Sequence, residues 1–165
     1  MKALTIWQPW ASLIIAGAKP YEFRGWRAPR FVIGQRIVIH AAARRIDRTE
    51  TDIMLQILHH RASWPETAAE MCLKPEGAIP VLIAALRGEL PMSAGIGTAI
   101  VGEPRIGTDI AEEFGVPRAN DSDRDQHANW GWPMEAIQPW PAPIACKGAQ
   151  GLWNWPTAES FAEAL

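Results

Sequence analysis

The chain has 165 residues, 48% of them hydrophobic, which is enough to bury one substantial core in a single domain. It contains no run of 18 apolar residues, and Met1 to Leu4 leads directly into the first motif in place of a signal peptide. We therefore expect a cytoplasmic protein with no membrane partner. The net charge of −2 argues against tight, sequence-blind binding to long duplexes.

The charge is unevenly distributed along the chain. The first 48 residues carry nine lysines and arginines and two acidic residues, a net charge of +7, whereas the other 117 carry seven basic and sixteen acidic residues. The basic part suits an anionic or nucleotide-like ligand. A solvated basic face without a partner is the alternative, because asymmetry in sequence need not become a patch in space.

The first elements predicted are a helix and a strand. Proline suits the first turn of a helix, so Gln8-Pro9 permits a start, residues 10–16 supply the apolar body, and Gly17 ends it. Pro20 then favours an extended chain and begins a strand over residues 21–26. In that strand Glu22, Arg24 and Trp26 share one face, and the intervening residues face the core.

Lys19 precedes this strand and completes a set of closely spaced charges. Arg24 offers a planar fork, Lys19 is a compact ammonium, and Glu22 between them could orient both. Together with Trp7, Trp10 and Trp26, the set suits a flat, polar, heteroaromatic ligand that indoles stack on. The alternative is an ordinary surface ion pair between Glu22 and Arg24, with Lys19 solvated in a turn.

The middle of the chain reads as one strand, three helices and another strand. Residues 36–41 are short, β-branched and apolar, which predicts a buried strand ending near His40, either a core residue or a functional one. The predicted helices cover 47–61, 65–73 and 79–86, and Asp47 is a predicted cap for the first of them. The second strand covers 98–106. It contains Glu103, which is a candidate second carboxylate for the site or a surface residue.

The last third is rich in proline and tryptophan. Four prolines between residues 130 and 143 argue against a central strand, so we expect this segment along a sheet edge. The other predicted elements are a helix over 109–114, a loop over 117–126, short strands over 144–147 and 152–155, and a terminal helix capped by Thr157.

We predict neither a metal site nor a cofactor. Cys72 and Cys146 are far apart in sequence, so they form no metal knuckle or redox motif; they are buried thiols or a single disulfide. His59 and His60 are adjacent on a predicted helix and point about 100 degrees apart, which disfavours a shared metal ion.

Four sequence blocks resemble one known family. Leu4-Thr5-Ile6-Trp7-Gln8-Pro9-Trp10-Ala11, followed by the glycine, lysine, glutamate and arginine pattern, is similar to the start of an ASCH (activating signal cointegrator homology) domain. The likeness continues at residues 38–42, 97–102 and 147–155, in family order. It implies a single domain over 1–165, with a helical insertion at about 48–96 that has no counterpart in the family pattern.

The resemblance implies an α+β fold, a small PUA-like β-barrel with helices around it and the N-terminal helix at the mouth of a cleft. Matched residue by residue, the cleft of the family holds Lys19, Glu22 and Arg24 here. The candidate ligand-binding residues are Trp7, Gln8, Trp10, Arg24, Trp26 and His40.

The implied function is binding of RNA, a nucleotide or a modified nucleoside. As an alternative, some small bacterial members are amidohydrolases that remove the acyl group from N4-acetylcytidine with a lysine, a threonine and a glutamate. The threonine follows the lysine by three residues, where this chain has Glu22, so that nucleophile is missing. Hydrolysis would then need water, with Lys19 and Glu22 as catalytic base and Glu103 as the second carboxylate.

Two further classes remain open. Some members have been proposed as ribonucleases, for which His40 and Lys19 would be the acid–base candidates. A protein-interaction module would instead present an exposed apolar patch on residues 48–96 and an inert cleft. The sequence leaves the oligomeric state undetermined.

Overall fold

Seven strands form one mixed, curled sheet. The structure is a computed structural model, and it describes residues 1–59, 72–114 and 130–156. The strand order is β2-β6-β4-β3-β1-β7, and the short β5 pairs with β6. The strands are β1 (Lys2–Ile6), β2 (Tyr21–Arg24), β3 (Arg36–Ala41), β4 (Ala94–Val101), β5 (Arg105–Ile106), β6 (Trp130–Ala145) and β7 (Leu152–Asn154).

Helices begin and end where the sequence places its breaking residues. The Oδ1 atom of Asp47 accepts two backbone N–H groups of the second helix, which confirms the predicted cap. Gly17 and Gly88 adopt a positive φ after the first and third helices, a conformation that glycine reaches without strain. The helices are α1 (Trp10–Ile15), α2 (Arg48–His59), α3 (Pro75–Arg87) and α4 (Gly107–Glu113).

The sheet closes on itself through a side chain. Strand β1 pairs in parallel with β3, and the other pairings are antiparallel. Strand β2 is at one end of the strand order and β1 is next to the other end, yet Arg24 Nη2 donates to the Thr5 carbonyl at 3.2 Å. The sheet must therefore curve to bring β2 towards β1, which gives the predicted α+β, barrel-like fold.

Helix α1 separates two apolar clusters. Ala11 and Ile14 pack against the inner side of the sheet with Leu4, Ile37 and Trp132. Leu13, on the other side of α1, packs in a second cluster with α2 and α3, whose members include Met54, Leu58 and Leu82. Helices α2 and α3 are thus part of the packed structure, and α1 is held on both sides.

The proline-rich segment runs along a sheet edge, as predicted. Strand β6 pairs with β2 only over residues 130–133 and with β4 only over residues 134–145, so its proline-rich half has one neighbouring strand. Its register against β4 moves from Gly97↔Pro139 to Gly95↔Ile144, so residues 140–143 bulge out of the ladder. Pro141 and Pro143 lie in this bulge, where no ladder donor is required.

The differences from the predicted elements concern boundaries. The strand predicted over 98–106 is two strands, with Glu103 between β4 and β5. Residues 144 and 145 end β6 and do not begin a new strand. The loop over 117–126, the helix from Thr157, His60 and most of the helix over 65–73 lie outside the described residues; Cys72 and Leu73 are not helical.

Candidate functional site

A buried ion pair lies where α1 leads into β2. Lys19 Nζ is 2.8 Å from Glu22 Oε2, and the two residues are only 5% and 7% exposed. Lys19 also donates a hydrogen bond to the carbonyl of Tyr21. The surface alternative considered from the sequence is therefore wrong, because both charges are removed from water and each depends on the other.

Arg24 is the second cation of this group. Its Nη2 lies 3.0 Å from Glu22 Oε1 and also donates to the Thr5 carbonyl, so one guanidinium nitrogen serves β2 and β1 together. The Nε atom of Arg24 is buried and has no hydrogen-bond partner among the described residues. Glu22 and Arg24 share one face of β2, as strand alternation predicts.

Two aromatic rings surround the Lys19 ammonium. Its Nζ is 5.8 Å from the centre of the Trp10 ring on α1 and 5.4 Å from that of Phe23 on β2. The sequence predicted that Phe23 faces the core and takes no part in the charged cluster. In the structure Lys19 lies at the edge of the strand, where it contacts Glu22 on one face and Phe23 on the other.

We call Lys19, Glu22 and Arg24 the buried ion group. It holds two cations and one carboxylate, a net charge of +1 in a poorly hydrated place. Such an excess favours a ligand that brings an acceptor oxygen or a negative charge. Binding would satisfy N–H donors that folding leaves unused.

Trp7 and Trp26 lie outside the buried ion group and are exposed. Trp7 is 56% exposed, and the guanidinium carbon of Arg44 lies 3.7 Å from its ring centre. Trp26 is 41% exposed, and its ring meets that of Trp132 edge-on. The sequence missed Arg44, because its place beside Trp7 depends on the parallel pairing of β1 and β3.

The Gln8 side chain forms its hydrogen bonds at the start of α1. Its Nε2 donates to Ser12 Oγ and to the Pro91 carbonyl, both at 2.8 Å, and its Oε1 accepts the Ser12 N–H at 3.1 Å. Both amide N–H groups are therefore used inside the fold. The predicted ligand-binding residue acts as a helix cap in the structure.

His40 is held in an aromatic part of the core. The Cys146 carbonyl can only accept, so His40 Nε2 donates to it at 2.9 Å, and Nδ1 is hydrogen-bonded to the Thr5 hydroxyl at 3.3 Å. The ring packs edge-on against Trp153, and a side chain on Gly148 would collide with it. Thr5 lies between His40 and Arg24, so His40 does not contact the buried ion group. The structure therefore fits the interpretation of His40 as a core residue.

Glu103 is not brought to the buried ion group. Its carboxylate pairs with Arg27, and its side chain is 66% exposed. Of the two alternatives that the sequence left open for Glu103, the structure fits the surface residue. The chain between β4 and β5 carries Glu103 to the surface, next to an arginine that follows β2.

No metal centre is apparent in residues 1–59, 72–114 and 130–156, where no three His, Cys, Asp or Glu side chains could jointly hold an ion. Cys72 is a buried thiol, and burial raises its pKa to about 11. Cys146 is a partly exposed thiol whose pKa burial also raises. Within the same residues, no helix is long and apolar enough to cross a membrane.

A family model described as "ASCH domain" matches residues 4–95, more than half of the chain. The chain belongs to the ASCH domain family. The matched range contains the buried ion group and ends within β4. It leaves out the later blocks at 97–102 and 147–155.

Two solved structures of ASCH proteins are similar to this chain. A tyrosine-to-phenylalanine variant of an ASCH protein from Zymomonas mobilis is 15% identical, with 99% of this chain and 94% of that chain covered and a TM-score of 0.49. The ASCH structure from the same organism without that change is 14% identical, with 99% and 92% covered and a TM-score of 0.49. No curated protein matches this chain.

Proposed function

We propose that this ASCH domain binds RNA through the buried ion group. The observation that carries the proposal is the excess positive charge of Lys19, Glu22 and Arg24, together with the buried Arg24 Nε that lacks a partner among the described residues. RNA supplies acceptors of both suitable kinds, phosphate oxygens and base carbonyls. Trp10 beside Lys19 offers an indole surface at the same place.

The contacts favour binding over turnover of an acylated cytidine. Hydrolysis by water was expected to use Glu103 beside Glu22, but Glu103 pairs with Arg27 at the surface. Lys19 Nζ donates to Glu22 and to the Tyr21 carbonyl inside the fold, so these contacts occupy the nitrogen that would have to face the attacking water. The ribonuclease alternative loses its acid–base partner, since His40 bonds Thr5 and Cys146 in the core.

The test is a titration of a fluorescently labelled single-stranded RNA hexamer, read by anisotropy at low salt. Arg24→Gln should weaken binding by about tenfold, because charge-assisted hydrogen bonds to the RNA are lost. Arg87→Gln removes the same charge from the exposed end of α3 and should leave the affinity within about twofold. Circular dichroism of both variants checks that the fold is retained.

Two results would overturn the proposal. Equal hexamer affinity in the wild type and Arg24→Gln would show that the buried ion group does not contact RNA. Release of acetate from N4-acetylcytidine by the wild type, followed through the ultraviolet absorbance of the base and lost in Lys19→Ala, would replace binding with the amidohydrolase function.

A further inference from the structure

Trp7 and Arg44 form an exposed stacked pair at the ends of two parallel strands. Strand β1 ends at Ile6 and β3 at Ala41, and these residues are paired in register. The Ala42 N–H donates to the Ile6 carbonyl at 2.9 Å, so the two chains stay side by side beyond the strands. This adjacency places the Arg44 guanidinium 3.7 Å from the centre of the Trp7 ring.

The Arg44 guanidinium has no hydrogen-bond partner in the described part of the chain. Among the described residues, the structure gives Arg44 no carboxylate or carbonyl partner, and its one recorded contact is the Trp7 ring. Stacking on an indole leaves the edge of a guanidinium open to bind phosphate. Arg45 is exposed beside it, whereas the nearby Asp47 carboxylate is engaged as the cap of α2.

Trp7 remains largely accessible beside Arg44. The Arg44 guanidinium lies over the indole, yet the residue is still 56% exposed. An exposed indole that is fixed by a guanidinium is a surface on which a nucleobase can stack. The packed tryptophans differ: the Trp132 ring is wholly buried in the sheet core.

This pair lies close to the buried ion group. Arg24 donates to the carbonyl of Thr5, which is only two residues before Trp7. Two extended residues span about 7 Å. The carbonyl of Trp7 in turn accepts the Ala11 N–H at 3.1 Å, which ties the pair to the start of α1. Neighbouring nucleotides of one strand can therefore reach both places.

We propose that Trp7 and Arg44 form a second subsite, which stacks a base and binds a phosphate of the nucleotide next to the one at the buried ion group. The natural ligand is then a single-stranded RNA segment of at least two nucleotides and not a free nucleoside or mononucleotide. This inference rests on the proposed function, since it extends the same binding site along one strand.

The experiment compares two ligands, the labelled RNA hexamer and cytidine 5′-monophosphate as its competitor. Trp7→Ala should weaken hexamer binding by about tenfold, the effect of losing one stacked base, and leave the affinity for the monophosphate within about twofold. Arg44→Gln should weaken hexamer binding several-fold and lower the slope of log affinity against log salt by about one. Trp7→Phe should restore most of the affinity, because it keeps a ring.

Phe31→Ala provides the matched control. Phe31 is another exposed aromatic beneath a cation, with Lys2 Nζ 5.8 Å from its ring centre, and it is not part of the proposed site. This variant should bind both ligands as the wild type does. An equal loss in Phe31→Ala and Trp7→Ala would assign the effect to general surface aromaticity and overturn the inference.

The outcomes separate the two proposals. The second subsite is refuted if Trp7→Ala binds the hexamer as tightly as the wild type, if it weakens both ligands equally, or if the wild type binds both ligands equally. In each of these cases the proposed function stands as long as Arg24→Gln weakens binding. Binding of neither ligand to the wild type would overturn both proposals.

Discussion

Strand β2 carries two charged groups on opposite faces, and their surroundings differ. On one face Glu22 joins Lys19 and Arg24 in the buried ion group. On the other face the Tyr21 hydroxyl donates to Glu113, which also pairs with Arg105. We call Tyr21, Arg105 and Glu113 the exposed ion group.

Tyr21 and Glu22 are adjacent in β2, yet the two ion groups that they join differ in their exposure to solvent. The exposed ion group is wetted by solvent, which screens its charges and limits what the pairing contributes to stability. In the buried ion group Lys19 and Glu22 have lost most of their hydration, so these two charges require each other and retain a strong field for a ligand. The comparison teaches that burial, more than the presence of an ion pair, marks a candidate site.

Removing one partner from the buried ion group should produce the largest effect. We expect Glu22→Gln to lower the free energy of unfolding by about 3–5 kcal/mol, because Lys19 and Arg24 would both lose the one carboxylate that compensates them. Urea denaturation followed by tryptophan fluorescence measures the change. Glu113→Gln, the matched change in the exposed ion group, should cost less than about 1 kcal/mol; similar losses in both variants would erase the contrast.

Double-mutant cycles should sharpen the comparison. For the buried pair, we expect a coupling free energy above about 1.5 kcal/mol from Lys19→Met, Glu22→Gln and the double variant. For the exposed pair, Arg105→Met and Glu113→Gln should give about 0.2–1 kcal/mol. The same urea transitions supply all six variants, and a larger coupling at the surface would contradict the role assigned to burial.

Salt should weaken one group and spare the other. Raising the ionic strength from about 0.1 M to 1 M shortens the screening length from about 10 Å to about 3 Å for charges in contact with solvent. We expect the Arg105–Glu113 coupling to shrink and the Lys19–Glu22 coupling to stay nearly constant. Repeating both cycles at the two ionic strengths tests this, and a constant surface coupling would count against it.

The smallest effect concerns pH. Hydrogen bonds from Arg105, and then from the Tyr21 hydroxyl, lower the pKa of Glu113 below its ordinary value of 4.5. A lowered carboxyl pKa adds stability above pH 4.5 that disappears as the pH falls through the folded-state pKa. The wild type should thus exceed Glu113→Gln slightly in thermal stability at neutral pH, and the gap should close below pH 4.5. A gap that widens in acid would refute the assignment.

Local patterns predicted the local elements. Alternation after Pro20 placed Glu22 and Arg24 on one face, and the structure joins them at 3.0 Å. Asp47 caps α2 as its side-chain chemistry requires. These predictions held because each depends on residues within one turn or one strand.

Long-range pairing decided what local patterns left open. The prolines placed residues 134–145 along a sheet edge, as observed, but gave no sign that residues 130–133 pair with β2. For Glu103 the sequence left a second carboxylate and a surface residue open, and the end of β4 directs the side chain to Arg27 at the surface. The stacking of Arg44 on Trp7 required knowing that β1 and β3 are parallel neighbours.

The sequence by itself determined the family, the Asp47 cap of α2 and the charged residues that flank the start of β2, because these are properties of short stretches of chain. The tertiary structure alone decided that Lys19 and Glu22 are buried, that His40 belongs to the core and that Arg24 reaches Thr5. The physical reason is that burial and contact arise when the sheet curls, and the curl brings together residues from strands that are distant in sequence.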